Sequence, residues 1–333
     1  MPLDLIVRRP EGLYCPPGDF YIDPWRRVER AIITHAHADH ARTGHGHYLA
    51  SAAGAAVLRC RLGDIPLQTL AYGQTIEHQG VRISLHPAGH VLGSAQVRLA
   101  YRGQVWVISG DYKLQSDPTC EPFEPVPCDT FITESTFGLP VYRWPDSATV
   151  MQEIHAWWSA NAASNRASVI YAYSLGKGQR ILAGLDTSVG PILVHNALQG
   201  LNEAYRISGV ALPETQSVTQ ASLADCQHAL VLAPPAAADS AWMRRMGPVS
   251  DAMASGWMRV RGARRRRHVE RGFVMSDHAD WPGLLQAIEA TGAQRVIVTH
   301  GNTAVLIRWL VSLGLQAEAF QTDYGQQADG QDH

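Results

Sequence analysis

The segment His35-Ala-His-Ala-Asp-His40 places three imidazoles and a carboxylate within six positions, directly after the apolar run Arg30-Ala-Ile-Ile-Thr34. Residues two apart in extended chain leave the same face, so His35 and His37 can converge on one cation. Zinc–imidazole bonds of about 2.0–2.1 Å suit that convergence. Asp39 and His40 fall at the start of the next element and point elsewhere. Four donors this close in sequence crowd a single tetrahedral shell. Two neighbouring cations, roughly 3.5–4 Å apart, relieve the crowding.

Two cations need ligands from distant parts of the chain. The candidates are His90 in HPAGHVLGS, Asp111 in ISGDY and His300 in VTHGN, each beside or near a glycine of the kind that tight loops require. The expected sets are His35, His37 and His90 for one ion and Asp39, His40 and His300 for the other, with Asp111 bridging. His45 and His47 also form H-x-H, but no Asp-His follows. They are read as structural or surface residues, as are His78, His86, His155, His195, His228 and His268. Zinc is the first choice for such donors, with manganese or iron as alternatives.

These side chains have to be carried by elements the sequence also encodes. VERAIIT reads as a buried strand and SAAGAAVLRCRL as a helix, while VRISLHPA alternates apolar residues at 81, 83 and 85 with polar ones, the period of a half-buried strand. AQVRLAYRGQVWVISGD predicts a hairpin turning at Arg102-Gly103, and DTFITES another strand. After Gly138 the character changes to a helix, SATVMQEIHAWWSANAAS, followed by strand–turn–helix units of the α/β type with a parallel sheet. Beyond the arginine run RVRGARRRRHVER, two more such units each place a histidine in the loop after a strand. The outer thirds carry histidine or aspartate where strands end and the middle third does not. An inserted domain over 139–272 is therefore expected, between first-domain segments 1–138 and 273–333.

Composition bounds the possibilities. A chain of 333 residues with 46% hydrophobic and 17% charged residues can bury a large core and does not resemble a disordered chain. The N-terminus lacks the basic and apolar segments of a signal peptide, and no run approaches the ~18 apolar residues of a membrane span. Five cysteines without a C-x-x-C pair fit a reducing cytoplasm better than a disulfide framework. The net charge of −2 gives no bulk attraction for nucleic acid, so a polyanion would be held locally.

The ligand pattern resembles the metallo-β-lactamase superfamily, with its H-x-H-x-D-H hallmark and later His, Asp and His ligands. That resemblance implies a four-layer αββα sandwich with the metals at one edge of the sheets. Asp23 in FYIDPW matches the superfamily's early aspartate, which supports the metal loop, with Asp19 as the alternative. ITESTFG, SDHAD and VTHGN resemble the three added motifs of the β-CASP nucleases, a branch with a smaller domain inserted after the acidic motif. YSLGKGQR is similar to a further β-CASP segment. GLYCPPGDFYIDPWRRVERAIITHAHADHA, ASGWMRVRGARRRR and SDHADWPGLL resemble the bacterial ligase-associated DNA exonucleases. The resemblance implies DNA as substrate, with a DNA ligase or helicase of a repair pathway as protein partner.

The implied chemistry is hydrolysis of a phosphodiester by a water deprotonated between two divalent cations, with Asp39, Glu134 and His278 as catalytic residues. His278 would protonate the leaving oxygen, held and kept charged by Glu134. The loop YSLGKG, through Ser174, Lys177 and the backbone at a helix start, would hold a phosphate. Arg264, Arg265, Arg266 and Arg267 would contact the DNA backbone. The rival readings are an RNA nuclease of the same fold, a hydrolase of lactams or thioesters, and a catalytically dead scaffold.

Overall fold

A computed structural model describes residues 4–238, 240–260, 262 and 269–322. The arginine run Arg264, Arg265, Arg266 and Arg267, and His268, lie outside the described residues. The chain divides into two units. One runs to Tyr142 and resumes at His278, and the other is Arg143–Asp277. The second unit starts four residues and ends five residues later than the composition change. The reason is local to the first unit: the Trp281 N–H donates to the Tyr142 carbonyl at 3.1 Å, and Tyr142 packs edge-on against Phe137.

In the first unit, six strands pair in sequence order as one sheet, from Val7–Arg9 through Gly12–Cys15, Phe20–Ile22, Arg30–Ile32 and His47–Ser51 to Leu67–Leu70. A second sheet of seven strands runs in the order Gln316–Ala319, Arg295–Gly301, Thr130–Ser135, Gln104–Ile108, Ala95–Tyr101, Val81–Pro87 and Thr75–His78. The expected hairpin forms with Tyr101 opposite Gln104, and both turn residues, Arg102 and Gly103, take positive φ, as a two-residue turn with the twist of its strands requires.

Alternation along the central strands separates two apolar layers. Trp106, Ile108, Ile132 and Ile297 join Leu13, Ile22, Ile32 and Leu49 of the first sheet in one core, so the sheets face each other. Val107, Phe131, Val296 and Val298 point the other way, onto Trp281 and Ile288 of helix Trp281–Thr291 and Leu306 and Leu310 of helix Thr303–Ser312. Both faces of this sheet are covered, which accords with the consecutive apolar residues Val105–Ile108, Phe131–Ile132 and Val296–Val298 of its inner strands.

The second unit holds six parallel strands in the order Gln216–Ser217, Ile192–Val194, Leu230–Ala233, Ala167–Tyr171, Val249–Ala254 and Arg271–Phe273. Ile170, Val194 and Leu232 face Ile154 and Trp158 of helix Ser147–Ala163. Val169, Leu193 and Val231 face Trp242 and Met246 on the opposite side. This is the α/β organisation expected for the insertion. Among the described residues, no helix is long and apolar enough to cross a membrane.

Strands Arg30–Ile32, Val81–Pro87, Gln104–Ile108 and Thr130–Ser135 each deliver a candidate residue at or just beyond their C-terminal ends. His300 corrects the expected pattern. It lies inside strand Arg295–Gly301, not in the loop after it, because pairing with Thr130–Ser135 continues through a register shift to Ser135 opposite Gly301.

Candidate metal centre

Asp23 organises the loop that carries His35 to His40. Its backbone takes a positive φ of 43°, a conformation that aspartate tolerates better than most residues. From there Oδ1 accepts the Thr34 N–H at 2.7 Å, while Oδ2 lies 2.5 Å from Thr34 Oγ1 and 2.7 Å from His40 Nδ1. One buried carboxylate thus fixes both ends of the loop. Arg61 donates to the Ala36 carbonyl from outside. Asp19 does not share this role: its carboxylate is exposed and accepts the Tyr14 hydroxyl.

The other loops are tied just as closely. Ser94 Oγ accepts the N–H groups of His90 and Val91. The Lys113 N–H donates to the Ala88 carbonyl, joining the His90 loop to the Asp111 loop. Lys113 itself is fully buried and reaches Asp117 at 2.6 Å, an ion pair that anchors the segment following Asp111. The Tyr112 N–H donates to Glu134 Oε1 at 2.8 Å, and the Tyr112 carbonyl accepts the Ala279 N–H. Ser135 Oγ donates to the His300 carbonyl.

Asp111 stands at the centre. Its Oδ2 lies 3.5 Å from His35 Nε2, 3.5 Å from His40 Nε2 and 3.9 Å from both His90 Nε2 and His278 Nδ1, and its Oδ1 lies 3.3 Å from His300 Nε2. The donor atoms of His35, His37, His90 and Asp111 all fall within 4.8 Å of one another. The second expected set is gathered less tightly. Asp39 Oδ2 is 3.6 Å from His40 Nε2, and the rings of His40 and His300 are 6.2 Å apart. Two further groupings of this kind are Asp23 with His35 and His40, and Asp111 with Glu134 and His278.

The electrostatics follow from burial of so many imidazoles beside so few carboxylates. Burial, then the neighbouring His40, pushes His35 well below its ordinary value. Burial would also lower His40, but Asp111, Asp39 and Asp23 outweigh it and raise that imidazole to about 10. Burial disfavours the Asp111 carboxylate, yet His40, His278 and the His300 hydrogen bond hold it well below the usual range. The buried Asp111 carboxylate thus stays ionised with several imidazole nitrogens turned toward it. A gathering of imidazole nitrogens around a carboxylate is a donor set that fits divalent cations. His35 Nε2 is buried and takes no hydrogen bond among the described residues, and nitrogen and oxygen donors of this kind suit zinc.

Beside this cluster, His278 Nδ1 lies 2.9 Å from Glu134 Oε2 and 3.0 Å from Oε1. Glu134 is buried, while the His278 side chain stays 21% exposed, so the histidine remains reachable from solvent. Thr136 Oγ1 donates to Glu134 Oε2, and this donor, the Tyr112 N–H and Thr34 escape a sequence reading because nothing in their type or spacing marks them.

Two residues of the inserted unit occur in a setting other than the expected one. Lys177 is buried, its ammonium 3.2 Å from Asp277 and 4.7 Å from the centre of the Tyr173 ring. Its charge is neutralised internally instead of being offered to a phosphate. Ser174 is buried as well. His45, set aside from the ligands, accepts the Val28 N–H on Nδ1.

No family model matches the chain. A protein of Opitutus terrae described as a probable DNA ligase is 35% identical over 327 residues, covering 97% of this chain and 32% of its own length. Subunit 3 of the cleavage and polyadenylation specificity factor of Dictyostelium discoideum is 30% identical over 124 residues, 36% of this chain and 16% of its own. An endoribonuclease of Aspergillus fumigatus is 32% identical over 133 residues, 38% of this chain and 15% of its own. The chain thus spans a third or less of the length of these relatives. A solved structure, a protein of unknown function from Enterococcus faecalis V583, matches 87% of this chain and 79% of its own with a TM-score of 0.59 and 12% identity, a likeness of fold alone. The sequence relatives bear on the wider superfamily that the motifs resemble, not on one family within it.

Proposed function

We propose that the chain is a metal-dependent phosphodiesterase that degrades DNA from an end, built as a four-layer αββα sandwich with an inserted β-CASP-like unit. The observation that carries this reading is the convergence of His35, His40, His90, His278 and His300 on Asp111, beside a carboxylate-held histidine. The endoribonuclease names of several relatives are consistent with hydrolysis of phosphodiester bonds. The match of nearly the whole chain to part of a protein described as a DNA ligase supports DNA as the substrate and a ligase as functional partner.

His35, His37 and His90 would hold one divalent ion and Asp39, His40 and His300 the other, with Asp111 shared. When bound, such ions lower the pKa of water toward about 7 and offset charge on the phosphoryl oxygens. The chain's own residues supply the rest. Glu134, fixed by Tyr112 and Thr136, holds His278 through Nδ1, so the ring's other nitrogen can carry a proton to the leaving oxygen. Asp23 keeps His40 and Thr34 in place without contacting substrate. Arg264, Arg265, Arg266 and Arg267 are assigned to the DNA backbone. A reducing, cytoplasmic setting accords with five cysteines that form no disulfide.

The second reading is an RNA nuclease, favoured by the endoribonuclease relatives. Backbone chemistry is shared, and recognition of the 2′-hydroxyl separates the two. The test is digestion of matched single- and double-stranded DNA and RNA, labelled at either end, together with metal analysis of the purified protein. DNA shortened progressively from one end is the expected outcome. Preferential RNA cleavage would favour the second reading, and turnover of a lactam or thioester with none on either polymer would reject both.

A further inference from the structure

We propose that an arginine groove formed by Arg8, Arg9 and Arg26 on the first sheet binds the phosphodiester backbone of the nucleic-acid strand leading to the metal centre. The proposal rests on the nuclease reading and deepens it by naming a binding track.

An open groove of about 490 Å³ is lined by Arg8, Arg9, Pro10, Trp25 and Arg26, with no carboxylate in its walls. All three arginines are exposed, although the chain as a whole carries a net charge of −2. Three like charges around one hollow repel each other, and a polyanion relieves that repulsion. The groove is also shaped by fixed contacts. The Arg9 guanidinium carbon lies over the Tyr14 ring, 3.5 Å from its centre. Trp25 donates its indole N–H to the Pro10 carbonyl, and the N–H groups of Trp25 and Arg26 donate to the Glu11 carbonyl. The nearest acidic side chain in sequence, Glu11, is half-buried and accepts the Tyr21 hydroxyl.

Strand register gives the groove its place. Arg9 pairs with Gly12, Leu13 with Ile22, and Ile22 with Ile32, after which the metal loop begins. The arginines therefore sit on the same end of the sheet as His35 to His40, three strands away. At about 4.8 Å per strand this is roughly 14 Å. A duplex strand advancing about 3.4 Å per nucleotide covers that distance in about four nucleotides. Arg27 and Arg42 are both exposed as well, Arg27 next in sequence to Arg26 and Arg42 following His40 by two positions.

The test measures binding of a cleavage-resistant phosphorothioate 20-mer, as DNA and as RNA, by fluorescence anisotropy across a salt series. Each phosphate contact on a single strand contributes about 0.7 to the slope of log K against log salt. Arg8→Gln/Arg26→Gln should flatten that slope by roughly 1.4, and Arg8→Glu/Arg26→Glu should weaken binding further. Arg8→Lys/Arg26→Lys, which retains the charge, should keep the slope. A Gln variant with unchanged affinity and slope would overturn the groove, and urea unfolding of each variant checks that the fold is intact. End-labelled cleavage by the wild type is run in parallel. Cleavage with unchanged variant binding removes the groove alone, whereas failure of the wild type to bind or cleave any polynucleotide removes the nuclease reading with it.

Discussion

His278 is the residue whose environment speaks most directly to a chemical role. Its ring is held by a carboxylate that is itself held by two donors, yet its side chain is partly open to solvent. A general acid of this kind contributes about 10²- to 10⁴-fold. His278→Ala should lower turnover of an ordinary phosphodiester by that much, and lower it far less on an ester with a p-nitrophenolate leaving group, which needs no proton. Equal losses on the two esters would remove the assignment. His45 gives a prediction of another kind. Burial, followed by Arg27 and Arg42, lowers its imidazole from 6.5 to about 4, and its Nδ1 must stay unprotonated to accept the Val28 N–H. The unfolded chain takes up that proton near 6.5, whereas the folded chain refuses it until about 4. The stabilisation is therefore complete above pH 6.5 and is lost as pH falls toward 4. Urea unfolding at pH 7 and 4.5 should show the wild type losing roughly 2 kcal/mol more than His45→Gln. Parallel losses in the two proteins would show that the imidazole protonates freely in the fold.

Among the elements, the loops at strand ends carry the strictest demands. Gly89, one residue before His90, has φ +72°, and a Cβ there would come within 2.3 Å of the Lys113 carbonyl oxygen and 2.9 Å of the Phe123 nitrogen. Any side chain forces the His90 and Asp111 loops apart. The left-handed conformation alone costs about 1–2 kcal/mol for an L-residue. Gly89→Ala should destabilise the protein by at least about 2 kcal/mol in urea and purify with less bound metal than the wild type. Wild-type stability and metal content in that variant would show that the two loops move independently. The element boundaries were legible where periodicity or turn chemistry was strong, as in the hairpin at Arg102-Gly103 and helix Ser147–Ala163. The short strands Val7–Arg9, Gly12–Cys15 and Phe20–Ile22 left no such signal, because three or four residues are too few to display a period.

For the whole molecule, the division into two units makes a clear expectation. Every candidate ligand belongs to the unit that ends at Tyr142 and resumes at His278. Ions present at a thousand times their dissociation constant stabilise the state that binds them by about 4 kcal/mol. Chelation should therefore lower the unfolding midpoint. It should also loosen amide hydrogen exchange around the His35–His40 loop and strand Gln104–Ile108, while the strands of the unit 143–277 keep their protection. Uniform loosening, or no shift at all, would show that cations do not stabilise this centre.

The candidate donors His35, His37, Asp39 and His40 were legible in the sequence, since they are neighbours along the chain and their donor atoms reveal themselves by type and spacing. The change from histidine-bearing strand ends to strand–turn–helix units is a change in composition, and it falls within five residues of the division into two units. Only the tertiary structure decided that His278 also faces the Asp111 carboxylate, that the backbone of Tyr112 ties Glu134 to the His278 loop, and that Lys177 is paired with Asp277. The physical reason is range. Periodicity, turns and clustered ligands are properties of a few consecutive residues, whereas the charge and donors that surround a buried side chain come from segments about twenty to nearly two hundred positions away.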